Sequence, residues 1–297
     1  MTITVEQINK WYNNHHAVKD LSFEVRHGEI FSMLGPNGAG KTSTIRMVLD
    51  IIKPDSGTIT VFGKPFSEET KNRIGYLPEE RGLYRDVKLI PLLTYLGQLK
   101  GMSRRDASSR AADLLVKVGL EDNIKSKIKE LSRGMAQKVQ FVATILHRPE
   151  LIIIDEPFSG LDPVNTQLIK DMLFNLRGEG ATIVMSTHQM HQVEAMADRM
   201  LMIARGERVL YGEVDTVRRQ YAENAVIVEG TGDWAALRGV ASVTPENSRA
   251  VRLHLTESTV PDTIMAQLAT NPGYSVERFE RAIPSLDEIF IQVAGQN

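Results

Sequence analysis

Eight residues, Gly35-Pro36-Asn37-Gly38-Ala39-Gly40-Lys41-Thr42, match G-x-x-x-x-G-K-[ST]. The glycines let the backbone turn sharply, so that several N–H groups point at one polyphosphate. A helix starting there adds its unsatisfied N-terminal donors and the positive end of its dipole. Lys41 then meets β- and γ-phosphates, and Thr42 a magnesium ion. A glycine-rich turn that merely ends in Lys-Thr needs no special context. Here the loop lies between Ile30-Phe31-Ser32-Met33-Leu34, which reads as a buried strand, and a helical run over residues 43–51.

A second concentration of chemistry is Leu151-Ile152-Ile153-Ile154-Asp155-Glu156-Pro157, an apolar run of the kind buried on both faces of a parallel sheet, ending in two acids. In open α/β sheets chemistry gathers at the carboxyl ends of strands. Asp155 can hold Mg²⁺ directly or through water, and Glu156 can accept a proton from an attacking water. Such a pair can also be merely solvated. Residues 181–186 read as another buried strand ending Ser186-Thr187-His188, from which His188 could reach a γ-phosphate, although a lone histidine is usually a surface or packing residue. In the loop over residues 10–16, Tyr12 could stack on an adenine ring or pack on its own sheet. Ser132, opening the helix that runs to about residue 147, reads as a cap. Ser-x-Gly at a helix start is an anion site in principle, but most such caps hold only their own helix.

The elements needed to position these residues are legible in outline. Residues 2–9, 18–25 and 29–34 read as strands, with the loop over 10–16 between the first two. Residues 58–63 alternate as a strand, and 72–77 form another, stopped by Pro78. A helical stretch follows over residues 91–100 and 103–118, with Ser103 and Asp106 as a capping pair and Gly119 at the stop. Asp162-Pro163 introduces a helix over 164–177, and residues 200–204 and 207–211 resemble a hairpin. Met185, Met190, Met196, Met200 and Met202 read as core filler. Past residue 215, strands at 225–229, 240–244, 251–255 and 275–279 and helices at 233–238, 261–270 and 285–293 describe a small α+β domain of ferredoxin-like pattern.

The 297 residues suffice for two domains. A balance of 35 basic against 37 acidic side chains gives no global attraction to nucleic acid or anionic lipid. Absence of cysteine removes disulfides and thiolate chemistry. No apolar run approaches the roughly 20 residues needed to cross a bilayer, so any membrane span must come from another chain.

Taken in order, these pieces resemble the nucleotide-binding subunit of an ATP-binding cassette (ABC) transporter over roughly residues 2–215. Tyr12 matches the adenine-stacking aromatic and Gly35 to Thr42 the Walker A loop. Leu131-Ser132-Arg133-Gly134-Met135 matches the signature usually written LSGGQ. Asp155 and Glu156 match Walker B, Ser159-Gly160-Leu161-Asp162 the D-loop, and His188 the switch histidine. The resemblance implies an α/β P-loop NTPase cassette, a RecA-like core with an antiparallel β subdomain and a helical subdomain at about residues 85–148. The small domain would follow over 216–297. Nucleotide contacts fall on Tyr12, Gly35, Pro36, Asn37, Gly38, Ala39, Gly40, Lys41, Thr42 and Ser43, with Ser132 and Gly134 supplied by a second cassette. Catalysis falls on Glu156, His188 and Lys41, and magnesium on Thr42, Asp155 and Glu79.

Two departures accompany the match. Arg133 and Met135 replace the first glycine and the glutamine of the signature. Glu79 stands where the family commonly has a magnesium-touching glutamine; a carboxylate there could bind the ion more tightly or repel the γ-phosphate. The run Leu77 to Tyr84, the stretch Asp155 to Asp162 and the ending Pro284-Ser285-Leu286-Asp287-Glu288-Ile289-Phe290 look like the sodium- and drug-exporter branch. The implied protein hydrolyses ATP in a head-to-tail dimer on the inner face of the cell membrane, beneath integral-membrane permease subunits. Pairing with itself or with a non-identical cassette stays open, intact Glu156 and His188 favouring a homodimer. Two competing classes are a soluble cassette ATPase on ribosomes or DNA, disfavoured by the missing basic face, and a small-molecule kinase, which has no reason to carry the signature.

Overall fold

The computed structural model describes residues 1–79 and 82–294. Two compact units divide the chain, Met1–Val214 and Asp215–Asn297. The first opens with β1 (Ile3–Tyr12), β2 (His15–Val25) and β3 (Ile30–Leu34), the glycine loop, α1 (Lys41–Val48), β4 (Ser56–Val61), α2 (Glu68–Asn72) and β5 (Ile74–Leu77). Three helices follow, α3 (Leu89–Leu99), α4 (Arg104–Lys117) and α5 (Arg133–Ile145). Then come β6 (Leu151–Asp155), α6 (Pro163–Gly178), β7 (Thr182–Thr187), α7 (Met190–Met196), β8 (Arg199–Ala204) and β9 (Glu207–Glu213); α8 (Val214–Gln220) begins on the unit's last residue and otherwise belongs to the second unit.

The central sheet has the order β5-β6-β7-β3-β8-β9, parallel except for the final β8–β9 pair. All residues of β3, β6 and β7 are buried, as strands covered on both faces must be. A second sheet, β2-β1-β4, is antiparallel. The two apolar clusters of this unit meet the central sheet from opposite sides. One joins Leu93, Leu115, Phe141 and Val142 of the helical stretch to Ile152 and Ile154; the other joins Ile8, Leu21 and Phe31 to Ile45 and Ile153. Met185, Met200 and Met202 are fully buried, with Met190 and Met196 nearly so, as core filler should be.

Local signals set several boundaries. Ser103 caps α4 by accepting from the Asp106 N–H, and Asp162 caps α6 by accepting from the Asn165 N–H ahead of Pro163 at the first position. Three expectations need correction. The loop over residues 10–16 is the paired end of a hairpin, with Tyr12 opposite His15 and only Asn13-Asn14 left to turn, Asn13 at φ 51. A short helix, α2, precedes β5; Ser67 and Thr70 cap it reciprocally. Residues 233–238 hold one turn of 3-10 helix, Trp234–Ala236, and no α-helix.

The second unit contains β10 (Ala225–Thr231), β11 (Val240–Pro245), β12 (Ala250–Leu255), α9 (Pro261–Thr270), β13 (Ser275–Arg281) and α10 (Leu286–Ala294). Its all-antiparallel sheet has the order β11-β12-β10-β13. That is the ferredoxin-like strand order with its first crossover helix reduced to the 3-10 turn. Val226, Val228, Leu253, Ile264 and Leu268 form its separate core.

Candidate nucleotide site

The parallel register brings three strand ends together. Leu34 pairs with Thr187, and Asp155 with Ser186, so the loop after β3, the acids after β6 and the histidine after β7 emerge side by side. Gly35, Gly38 and Gly40 have φ of 153, 79 and 107, which side-chain-bearing residues rarely adopt. A β-carbon at Gly40 would come within 2.6 Å of the Ala17 carbonyl oxygen, so this position needs both the conformation and the space.

Lys41 is buried, and its Nζ donates to the carbonyl oxygens of Gly35 at 2.6 Å and Pro36 at 3.1 Å. Burial pushes its pKa down, while the carboxylates of Glu156, Asp155 and Glu79 act in the opposite direction. Thr42 Oγ1 donates to Asp155 Oδ2 at 3.0 Å, and the Ser186 hydroxyl donates to Asp155 Oδ1. Tyr12 OH lies 3.3 Å from Ser43 Oγ, which turns the hairpin end toward the loop. Tyr12, His15, Ala17, Asn37 to Ser43, Glu79, Asp155 and Glu156 line one cavity of about 350 Å³.

Glu156 is buried at φ 53, a left-handed conformation that is uncommon for a residue with a side chain and that clusters at functional sites. Its N–H donates to the Ser186 carbonyl oxygen at 3.0 Å. Its Oε1 accepts from the His188 N–H at 3.0 Å and lies 2.7 Å from His188 Nδ1, while Thr187 Oγ1 donates to Oε2 at 3.3 Å. Ser186 and Thr187 were visible in the sequence only as the run before His188; their contacts follow from the β6–β7 register.

Thr42 and Asp155 offer a hydroxyl and one carboxylate, and no group of three or more His, Asp or Glu that could hold a metal occurs among the described residues. That donor set suits an ion completed by waters and nucleotide phosphates, as magnesium usually is. Ser132 and Gly134 are not brought to the glycine loop of their own chain. Ser132 caps α5 by accepting from the Met135 N–H at 3.2 Å and lines a different cleft, of about 710 Å³, with Glu79, Arg85, Lys129, Arg133 and Ser159. Glu80 and Arg81, within the run Leu77 to Tyr84, lie outside the described residues.

The ABC transporter family model matches residues 18–159, and the C-terminal domain of DrrA1-3-like ATP-binding proteins matches 212–294. YhaQ, an ABC transporter ATP-binding protein of Bacillus subtilis, is 36% identical over 99% of this chain and 98% of its own length. The chain belongs to the ABC transporter ATP-binding family. The Nod factor export ATP-binding protein I of Burkholderia orbicola is 30% identical over 99% of this chain and 97% of its own. A solved ATP-binding subunit of an ABC transporter superposes with a TM-score of 0.70 at 31% identity, covering 74% of this chain and 93% of that one. The cassette is thus an ATPase subunit that powers a membrane transporter, built as a P-loop NTPase core with an antiparallel β subdomain. No helix among its described residues is long and apolar enough to cross a membrane.

Proposed function

We propose that the cassette hydrolyses ATP in a site shared by two copies of this chain, each supplying Gly35 to Thr42 for one nucleotide and Ser132 with Gly134 for the other. The carrying observation is the placement of Ser132 on a cleft apart from the loop cavity of its own chain, while Lys41, Thr42, Asp155, Glu156 and His188 meet at adjacent strand ends. Tyr12 stacks on the adenine, and the loop amides of Gly35 to Ser43 hold the phosphates. Lys41 turns its ammonium from the Gly35 and Pro36 carbonyls to the β- and γ-phosphates.

Glu156 aligns a water and takes its proton as the water oxygen attacks the γ-phosphorus and ADP leaves with the bridging oxygen, a step worth about 10²- to 10⁴-fold. The Thr187 and His188 contacts fix the direction of that carboxylate; His188, protonated on both ring nitrogens, then donates from Nε2 to the γ-phosphate and reports its loss. Thr42 and Asp155, together with Glu79, would hold a magnesium ion, which would supply neutralisation of the phosphate oxygens.

Residues 1–215 form the nucleotide-binding part in this reading. The helical part at about 85–148 passes dimer closure to permease subunits, and 216–297 is a separate accessory domain. The cassette works on the inner face of the cell membrane. Export is supported by the Nod factor export relative. Nucleic acid is not a partner. Phosphate released to water alone, together with an ATP-dependent dimer of the full chain in light scattering, tests the reading; a chain that stays monomeric with ATP under turnover contradicts it.

A further inference from the structure

Arg133 replaces a glycine of the signature with the longest cationic side chain available. It opens α5 directly after Ser132 and is exposed, and among the described residues its guanidinium has no hydrogen bond or ion pair. It lies across Gly160 instead: a β-carbon built on Gly160 would stand 3.6 Å from Arg133 Nε and 3.7 Å from both Cζ and Nη2. Gly160, at φ 78, sits in the loop Ser159-Gly160-Leu161-Asp162 that caps α6. The guanidinium therefore rests on bare backbone, with no hydrogen bond or ion pair to any described residue holding it there.

The surrounding cleft is locally cationic in a chain whose net charge is -2. Its described lining carries Arg85, Lys129 and Arg133 against one acid, Glu79. Lys129 is committed to Asp86 at 2.7 Å. Arg85 and Arg133, both lining the cleft beside the Ser132 cap, have no ion pair among the described residues. A planar fork of donors matches phosphate oxygens better than any other side chain does.

We propose that Arg133 is a further catalytic residue, a guanidinium that each copy carries to the triphosphate bound on the other copy's Gly35 to Thr42 loop. There it swings off Gly160 to the γ-phosphate oxygens and stabilises the charge that develops on them during transfer to water. A glycine in its place can offer only a backbone N–H. The inference rests on the two-copy site proposed above and assigns the signature departure a role in rate, not in nucleotide capture, which each chain performs with its own loop.

The test is Arg133→Ala in the full chain, with steady-state ATP hydrolysis and calorimetric ATP binding measured together. The expected result is a fall in kcat of about 10²-fold with unchanged ATP affinity. Arg133→Lys should retain an intermediate rate, and guanidinium added below denaturing concentration should restore part of the Arg133→Ala rate. Arg133→Ala turning over like the native chain overturns the proposal. So does a loss that neither lysine nor guanidinium repairs and that comes with a lowered Tm, because that is a folding defect. Gly134→Asp separates this from failure of the underlying reading. If Gly134→Asp is inactive while Arg133→Ala is native, only the arginine role falls; if both are native, the two-copy site falls as well.

Discussion

Glu156 and His188 are joined at two points: one carboxylate oxygen, Oε1, accepts the His188 backbone N–H at 3.0 Å and faces its Nδ1 at 2.7 Å. A carboxylate can only accept, so Nδ1 carries the hydrogen, and Nε2 of the half-exposed ring donates to a phosphate oxygen only when the imidazole is protonated on both nitrogens. Glu156→Gln should keep ATP binding, lose about 10²- to 10⁴-fold in turnover and accumulate as an ATP-bound dimer. His188→Ala should bind ATP equally well and turn over more slowly. Native-rate hydrolysis by Glu156→Gln would remove the general-base role.

Lys41 has its ammonium on two carbonyls of its own loop and is supported by three carboxylates against the effect of burial. Losing a charged hydrogen bond to the nucleotide costs about 1.5–3 kcal/mol, so Lys41→Ala should weaken ATP binding about 10- to 100-fold. Calorimetry on the full chain reads this directly. An unchanged Kd would mean that the loop amides alone hold the phosphates.

Gly134 differs from the loop glycines. Its φ is not in the left-handed region, and a β-carbon built on it meets nothing within 4 Å. Within one chain a side chain is therefore admissible, and an acidic one in the first turn of α5 favours the helix by about 0.3–1 kcal/mol. Gly134→Asp should fold with a native or raised Tm and yet lose ATP hydrolysis, because its carboxylate would face the triphosphate of the other copy. A variant that both folds and hydrolyses ATP normally would show that Gly134 does not approach a phosphate.

His147 supplies a pH dependence away from the site. Burial, with help from the Lys100 charge, pushes its pKa down from 6.5 to about 4. Its Nε2 donates to the Ile74 carbonyl oxygen at 3.1 Å, and its buried Nδ1 has no hydrogen-bond partner among the described residues, the arrangement of a neutral imidazole. The folded pKa is depressed, so this contribution to stability is complete above about pH 6.5 and is lost as pH falls toward 4. Thermal melts should show Tm falling across that window, with a shallower fall in His147→Gln. Parallel profiles would exclude His147 as the titrating group.

Much of this was legible because some residues carry their own context. Leu151 to Asp155 had to be a buried strand since all five side chains face protein, and Asp162-Pro163 had to start a helix since one caps and the other fits only the first turn. The hairpin end over residues 10–16 was missed for the opposite reason. Lys10, Trp11, Tyr12, His15 and His16 are at least partly exposed on both faces, so they show no alternation, and only Asn13-Asn14 marks the turn. The helix α2 has five residues and buries only Thr70, too little for a periodic signal. Contacts such as Ser186 to Asp155 and Thr187 to Glu156 span 31 residues and depend on strand register, which no local pattern states.

The central claim is that each nucleotide is completed by a second copy, and complementation tests it most directly. Lys41→Ala lacks a working loop but keeps its signature, and Gly134→Asp lacks a working signature but keeps its loop. Mixed in equal amounts at an ATP concentration that fills the native loop but not the Lys41→Ala loop, half of the randomly formed dimers pair the two variants and hold one intact site each, so the mixture should recover roughly a quarter of the native rate although each variant alone shows little activity. Activity of the mixture no higher than the average of the two separate variants would contradict the shared site.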